Sequence, residues 1–330
     1  MTYKLNGALG SPYSMKMRAV LRYRRLPHIW VHGASTRSAL EQVRAPVIPV
    51  MEYPDGSFHN DSTPLIYDLE ARHAERSIIP PDPARAFLAH LIEDFADEWV
   101  TKAMFGYRWL DEVDQVQMSR WLAFDALKGG GREASEGFAD QFRARQVGRM
   151  AMVGCTAENF PLIEASTRAI LEALEAHVVD NHCLFGTRPS IAEFGMFGQL
   201  SQLGVDPTAQ AMMRKDYPYS YRWLLHIDDM SGIEGEWHDA AAPFAPIITA
   251  WLTQVGEIYM PFLRANAAAI DAGQETFSMT ALGHPYTQGV FKYQLKCLAD
   301  LRARYAALSA GARARIDPLL AETGCLETLR

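Results

Sequence analysis

Cysteine is scarce in this chain. Cys155, Cys183, Cys297 and Cys325 are the only four, and none forms a Cys-x-x-Cys pair, so neither a local redox dithiol nor a metal knuckle is encoded. They read as reduced core residues. Metal-ligand spacing is missing as well. There is no His-Glu-x-x-His, and the nearest groupings, His226 with Asp228 and His238 with Asp239, stand isolated, so no metal is expected. No apolar run approaches the ~20 residues that span a bilayer. The N-terminus also lacks the basic-then-apolar layout of a secretion signal. Neither a membrane partner nor export is expected, and the cytoplasm is the default address. The formal net charge of −7 gives no basic field for nucleic acid. Arg22, Arg24 and Arg25 read as a solvated helix face. Gly129-Gly130-Gly131 has no strand before it and no Lys-Ser/Thr after it, which leaves a flexible connection and not a phosphate loop.

The chain has 330 residues and is 48% hydrophobic, enough for a sizeable core and two domains. Strand and helix signals alternate over the first eighty residues. Tyr3 to Leu9 reads as a strand, and Met15 to Arg25 as a helix with Met17, Val20 and Leu21 on one face. His28 to His32 and Val47 to Tyr53 read as further strands, and Pro54-Asp55-Gly56 turns into a fourth at Ser57 to His59. Ser62-Thr63-Pro64 opens a helix expected to reach His73. The proline-dense stretch Ile79-Pro80-Pro81-Asp82-Pro83 then marks a boundary. This divides the chain into a domain over 1–80 and a second over 84–330. In the second, apolar residues recur at helical spacing, as in Phe87, Leu91, Phe95 and Trp99, and an all-α domain is expected. Ser190 and Glu193 form a capping box that starts a helix at Ile191.

Between the first strand and helix lie Ser11, Pro12, Tyr13 and Ser14. This turn has the shape of the Cys-Pro-Tyr-Cys redox turn of glutaredoxin-like folds, with hydroxyls at both sulfur positions. It cannot shuttle disulfides, yet it can aim a hydroxyl and backbone N–H groups at a sulfur that a ligand brings in. Ser14, just before the helical run, reads as its N-cap.

The hydroxyl turn, Ile48-Pro49 before a hairpin, Asp61-Ser62 at a helix start and the Ser190 box together resemble the glutathione S-transferases. The run Leu184-Phe185-Gly186-Thr187-Arg188-Pro189-Ser190-Ile191-Ala192-Glu193-Phe194 is similar to the stretch that opens that family's central C-terminal helix. The resemblance covers roughly residues 1 to 230. Residues 235–330 form an extension beyond the usual family length, in which Tyr259, Pro261, Phe262, Tyr293 and Leu295 suggest packed helices.

The resemblance implies a thioredoxin-like α/β domain followed by an all-α domain, a homodimer, and glutathione as cosubstrate. It further implies that Ser11 is the catalytic hydroxyl of a serine-type site, with Ser14, the second hydroxyl of the turn, as the runner-up for contact with the thiol. Tyr13 belongs to the same glutathione-binding turn. Ile48 would pair its backbone with the cysteinyl part of glutathione next to a cis Pro49, and Asp61 and Ser62 would hold the γ-glutamyl end. Met104, Tyr107 and Arg108 are candidates for the pocket of a hydrophobic electrophile, although for any one of them core or dimer packing is the better reading. The implied activity is attack of the glutathione thiol on an apolar electrophilic small molecule. A non-catalytic binding or scaffold protein of the same fold is the alternative. Thiol transfer is disfavoured because the turn holds no cysteine.

Overall fold

A computed structural model describes residues 2–127 and 129–330. The N-terminal elements are β1 (Tyr3–Gly7), α1 (Pro12–Tyr23), β2 (His28–His32), α2 (Arg37–Leu40), β3 (Val50–Glu52), β4 (Phe58–Asn60) and α3 (Ser62–Arg72). Helices follow: α4 (Pro83–Phe95), α5 (Thr101–Trp109), α6 (Glu112–Ala126), α7 (Arg132–Val147), α8 (Met150–Val153) and α9 (Phe160–Val178). Next come α10 (Ile191–Leu203), α11 (Pro207–Asp216), α12 (Pro218–Ile227), α13 (Pro246–Gln254) and α14 (Met260–Asp271). The chain ends with β5 (Thr276–Ala281), β6 (His284–Gly289), α15 (Lys292–Ala307), α16 (Ala310–Glu322) and α17 (Leu326–Leu329). Two compact units result. One holds Met1–Ile78, Tyr107–Val147 and Glu193–Glu234; the other holds Ile79–Gly106, Gly148–Ala192 and Gly235–Arg330.

The first unit is built on a four-stranded sheet of order β2-β1-β3-β4. β1 runs parallel to β2 and antiparallel to β3, and β4 is antiparallel to β3. The predicted helix face holds, since Met17, Val20 and Leu21 are fully buried. Its boundary moves: α1 starts at Pro12, because Ser11 takes the cap and proline fills a first-turn position whose N–H has no helical acceptor. β3 is shorter than the expected Val47 to Tyr53, since Pro49 has no N–H to give a ladder. Of the arginines at the end of α1, Arg25 is exposed as expected, but Arg24 is not part of a solvated face. Arg24 is buried and pairs with Glu70 at 2.8 Å, while Arg22 meets Asp228 at 2.8 Å and Arg25 meets Glu234 at 2.7 Å.

The second unit centres on Trp99, whose ring lies 5.5 Å from Phe262 and 5.3 Å from Tyr286, with its indole N–H donated to Ser166 Oγ at 3.0 Å. The remainder of the chain is largely helical, but the C-terminal extension contains a β-hairpin that a purely helical reading omits. Phe277 and Tyr286, alternating with exposed residues along β5 and β6, face the core from it. Its turn is Leu282-Gly283 with φ of 49° and 77°, a primed turn without the Asn-Gly signature that makes such turns legible.

Val255–Tyr259 forms a π-helical turn between α13 and α14. Gly256 in it lies against backbone: an added Cβ would stand 1.7 Å from the Thr323 carbonyl oxygen and 2.8 Å from its carbon. Gly256→Ala is therefore expected to destabilise the protein by at least about 3 kcal/mol, read as the chemical-denaturation midpoint of helical circular dichroism. A midpoint like that of the wild type contradicts this packing.

Candidate functional site

Sheet register brings three segments to one edge of the first unit. Asn6 near the end of β1 lies opposite Val50 at the start of β3, and Val50 lies opposite Asn60 at the end of β4. The turn that leaves β1, the Ile48-Pro49 peptide that enters β3 and the Asp61-Ser62 step that leaves β4 therefore share one end of the sheet. The Ile48-Pro49 bond is cis. Asn6, itself buried, donates its side-chain amide to the Val50 carbonyl at 3.2 Å.

The two serines of the turn are placed very differently. Ser11, half-buried, is the N-cap of α1; its Oγ accepts from the Ser14 amide at 3.3 Å, so its hydroxyl proton is directed elsewhere. Its own amide closes a tight turn onto the Ala8 carbonyl at 3.1 Å. Ser14 is fully buried inside α1 and is not the cap. It packs on Gly7 so closely that a Cβ there would meet Ser14 Oγ at 2.7 Å and Trp30 at 2.8 Å. Ser14 thus faces the interior of the unit, and its hydroxyl makes no hydrogen bond among the described residues. Tyr13 is half-buried.

Sequence reasoning missed Lys16, one helical turn beyond Pro12. Its side chain is fully buried, and its ammonium donates to Ser62 Oγ at 3.2 Å and Thr63 Oγ1 at 3.4 Å. It ties the first turn of α3 to α1. A single lysine on an otherwise apolar helix face was the available signal. Asp61, before Ser62, has φ 76° and ψ 111°, a conformation that costs a non-glycine residue about 1–3 kcal/mol. Strain of this kind persists where the surroundings over-determine it, as at ligand clamps.

Beside the turn opens a cavity of about 660 Å³. Leu9, Gly10 and Met15, which flank Ser11 in the chain, line it together with Met118, Arg120, Trp121, Leu122 and Phe124 of α6. Asp125, Ser201 and Gln202 add a few polar groups. None of Met104, Tyr107 and Arg108, the sequence candidates for a substrate pocket, lines it. Met104 is buried, and Tyr107 is buried with its hydroxyl on Met212 Sδ at 3.6 Å. Arg108 is 3% exposed and paired with the fully buried Asp206 at 3.0 Å. The four cysteines are free and buried. Burial pushes the thiols of Cys155 and Cys325 up to about 12, so neither supplies a thiolate near neutral pH. Among the described residues no group of three or more His, Cys, Asp or Glu side chains could hold a metal, and no helix is long and apolar enough to cross a membrane.

Burial raises the Asp206 carboxyl from 3.8 to about 6 against the opposing pull of Arg108. Between these pH values the folded protein holds this proton more tightly than the unfolded chain does. Its contribution to stability is present at low pH and lost as pH rises through 6. Relative to Asp206→Asn, which does not titrate, the wild type should weaken by on the order of 3 kcal/mol between about pH 4 and pH 7. A pH-independent difference between their denaturation midpoints contradicts this.

Residues 5–77 match the family model described as glutathione S-transferase, N-terminal domain. A comparison with curated proteins finds no match. Among solved structures the chain is similar to a glutathione S-transferase of Methylobacterium radiotolerans in complex with glutathione sulfonate, at 19% identity over 74% of this chain and 99% of that one, TM-score 0.43. It is similar also to one from Rhodospirillum rubrum, at 18% identity over 76% and 92%, TM-score 0.44. A third, from Methylobacillus flagellatus with glutathione bound, shares 16% identity over 68% and 93%, TM-score 0.41. Residues 5–77 are thus a glutathione S-transferase N-terminal domain by the family model, thioredoxin-like in fold, and the rest of the chain is largely helical.

Proposed function

We propose that this protein binds glutathione along the shared sheet edge and activates its thiol for attack on an apolar electrophile seated in the adjoining cavity. The observation that carries this reading is the convergence of Ser11, Pro49, Asp61 and Ser62 at one end of the sheet, beside a cavity walled by Met15, Trp121 and Phe124.

A free thiol with pKa about 8.5 is only a few per cent thiolate at pH 7. The site must therefore favour the anion. Ser11 donates its hydroxyl proton to the sulfur, and the N-terminal end of α1 adds positive potential. A fall of about two pK units needs roughly 2.7 kcal/mol, within reach of those two effects combined. The thiol proton leaves to solvent. The sulfur lone pair then forms the bond to the electrophilic carbon, and the leaving group departs with its electron pair, or in an addition the electrons pass to the acceptor. Ile48 supplies main-chain groups to the extended cysteinyl backbone. Asp61 takes the γ-glutamyl ammonium, and Ser62 with the first N–H groups of α3 takes its carboxylate.

Two measurements test this. In calorimetry, Asp61→Ala should weaken glutathione binding about tenfold or more, the value of a charge-assisted hydrogen bond; an unchanged affinity would remove Asp61 from the site. In ultraviolet absorbance of the complex, Ser11→Ala should raise the pKa of the bound thiol by one to two units, roughly the loss of one such bond, with affinity little changed. An unmoved thiol pKa refutes the role of Ser11. Binding with no thiolate in the wild type would favour a non-catalytic glutathione-binding protein.

A further inference from the structure

Arg108 lies outside the cavity wall, yet its buried guanidinium is wired to the turn that carries Ser11. Its Nε donates to both oxygens of Asp206, at 3.0 and 3.2 Å. Its Nη2 donates to Gln202 Oε1 at 2.8 Å, and its Nη1 to the carbonyl of Gly10 at 2.8 Å. Arginine only donates, so it holds the Gln202 amide in one orientation. The Gln202 NH₂ group then donates to the Leu9 carbonyl at 3.2 Å. Two successive carbonyls before Ser11 are thereby committed to a buried network in which Arg108, Gln202 and Asp206 are 3%, 1% and 0% exposed. Gly10 is also packed tightly, since a Cβ there would stand 2.2 Å from Leu122.

We propose that Arg108 is a positioning residue for the thiol-activating turn: acting directly on Gly10 and through Gln202 on Leu9, it keeps both carbonyls off the sulfur and fixes the Ser11 cap. This rests on the reading that Ser11 meets the glutathione thiol. A carbonyl oxygen that turned toward a thiolate would repel it, and a loosened cap would let the Ser11 hydroxyl wander from its donor geometry. Arg108 touches no reacting atom. Its effect passes through main-chain groups, and only a planar fork can serve Asp206, Gln202 and Gly10 together.

The test uses the whole protein with two variants. Arg108→Leu combined with Asp206→Leu removes both buried charges at once, so neither is left orphaned. Gln202→Met is the milder change: it releases the Leu9 carbonyl and one Arg108 donor, while Arg108 keeps its bonds to Gly10 and Asp206. Thiolate absorbance of bound glutathione is titrated against pH, and hydrogen exchange of the amides of Ser11 and Tyr13 is followed in the ligand-free protein. Both variants should raise the bound thiol pKa, the double variant by about one unit, a tenfold loss of thiolate at fixed pH. Exchange at Ser11 and Tyr13 should accelerate while the amides at the end of α1 are unaffected. Added to Ser11→Ala, the double variant should move the thiol pKa no further. A merely structural role would shift the denaturation midpoint and leave the thiol pKa where it was, which overturns the proposal alone. A wild type that binds no glutathione overturns the functional reading, and this proposal with it.

Discussion

The antiparallel register that sets Val50 between Asn6 and Asn60 is the constraint on which the rest of the site depends. A slip of one residue on β3 would turn its buried face outward and separate Pro49 from both the Ser11 turn and Asp61. Several contacts hold that register. Val50 and Met51 are fully buried, the Asn6 amide is bonded to the Val50 carbonyl, and the Lys16 ammonium joins α1 to α3 across the same edge. The strain at Asp61 is borne by this arrangement, because the backbone is fixed on one side by β4 and on the other by a helix whose first turn is bonded to Lys16.

A second constraint is chemical. The thiols of this chain are sequestered, with burial holding Cys155, Cys297 and Cys325 above the ordinary cysteine range. A redox-type turn without sulfur, beside three cysteines whose thiols burial keeps protonated, makes sense if the sulfur is supplied by a ligand. The task left to the protein is then modest in energy and strict in geometry. It must hold one hydroxyl and one helix terminus at hydrogen-bond distance from an anion, which places weight on whatever keeps the preceding carbonyls still.

Much of the first unit was legible in the sequence because its signals are local. The apolar spacing of Met17, Val20 and Leu21 marked a buried helix face, although the expected start at Met15 with Ser14 as cap was one turn late, since Ser11 is the cap and Pro12 opens the helix. The start of α10 at Ile191 followed from the cap at Ser190. What was not legible depends on distant partners. Arg24 looked solvated because nothing nearby in sequence reveals Glu70, and the partner of Arg108 lies 98 residues away. Trp121 and Phe124 wall the cavity, while Tyr107 and Arg108 lie buried. Helical periodicity states that a face exists without stating what it faces. The β5–β6 hairpin escaped notice because its turn is Leu-Gly and its alternation is short.

The central claim is that the protein borrows a sulfur and lowers its pKa. Glutathione labelled with ¹³C at the cysteinyl β-carbon reports its ionisation directly by NMR, so a pH titration of the bound ligand gives the midpoint without reference to any acceptor. The account predicts a bound midpoint about two units below that of free glutathione, the shift that one serine hydrogen bond and a helix terminus can supply. A bound midpoint equal to that of the free thiol, or no bound signal at millimolar ligand, would contradict it.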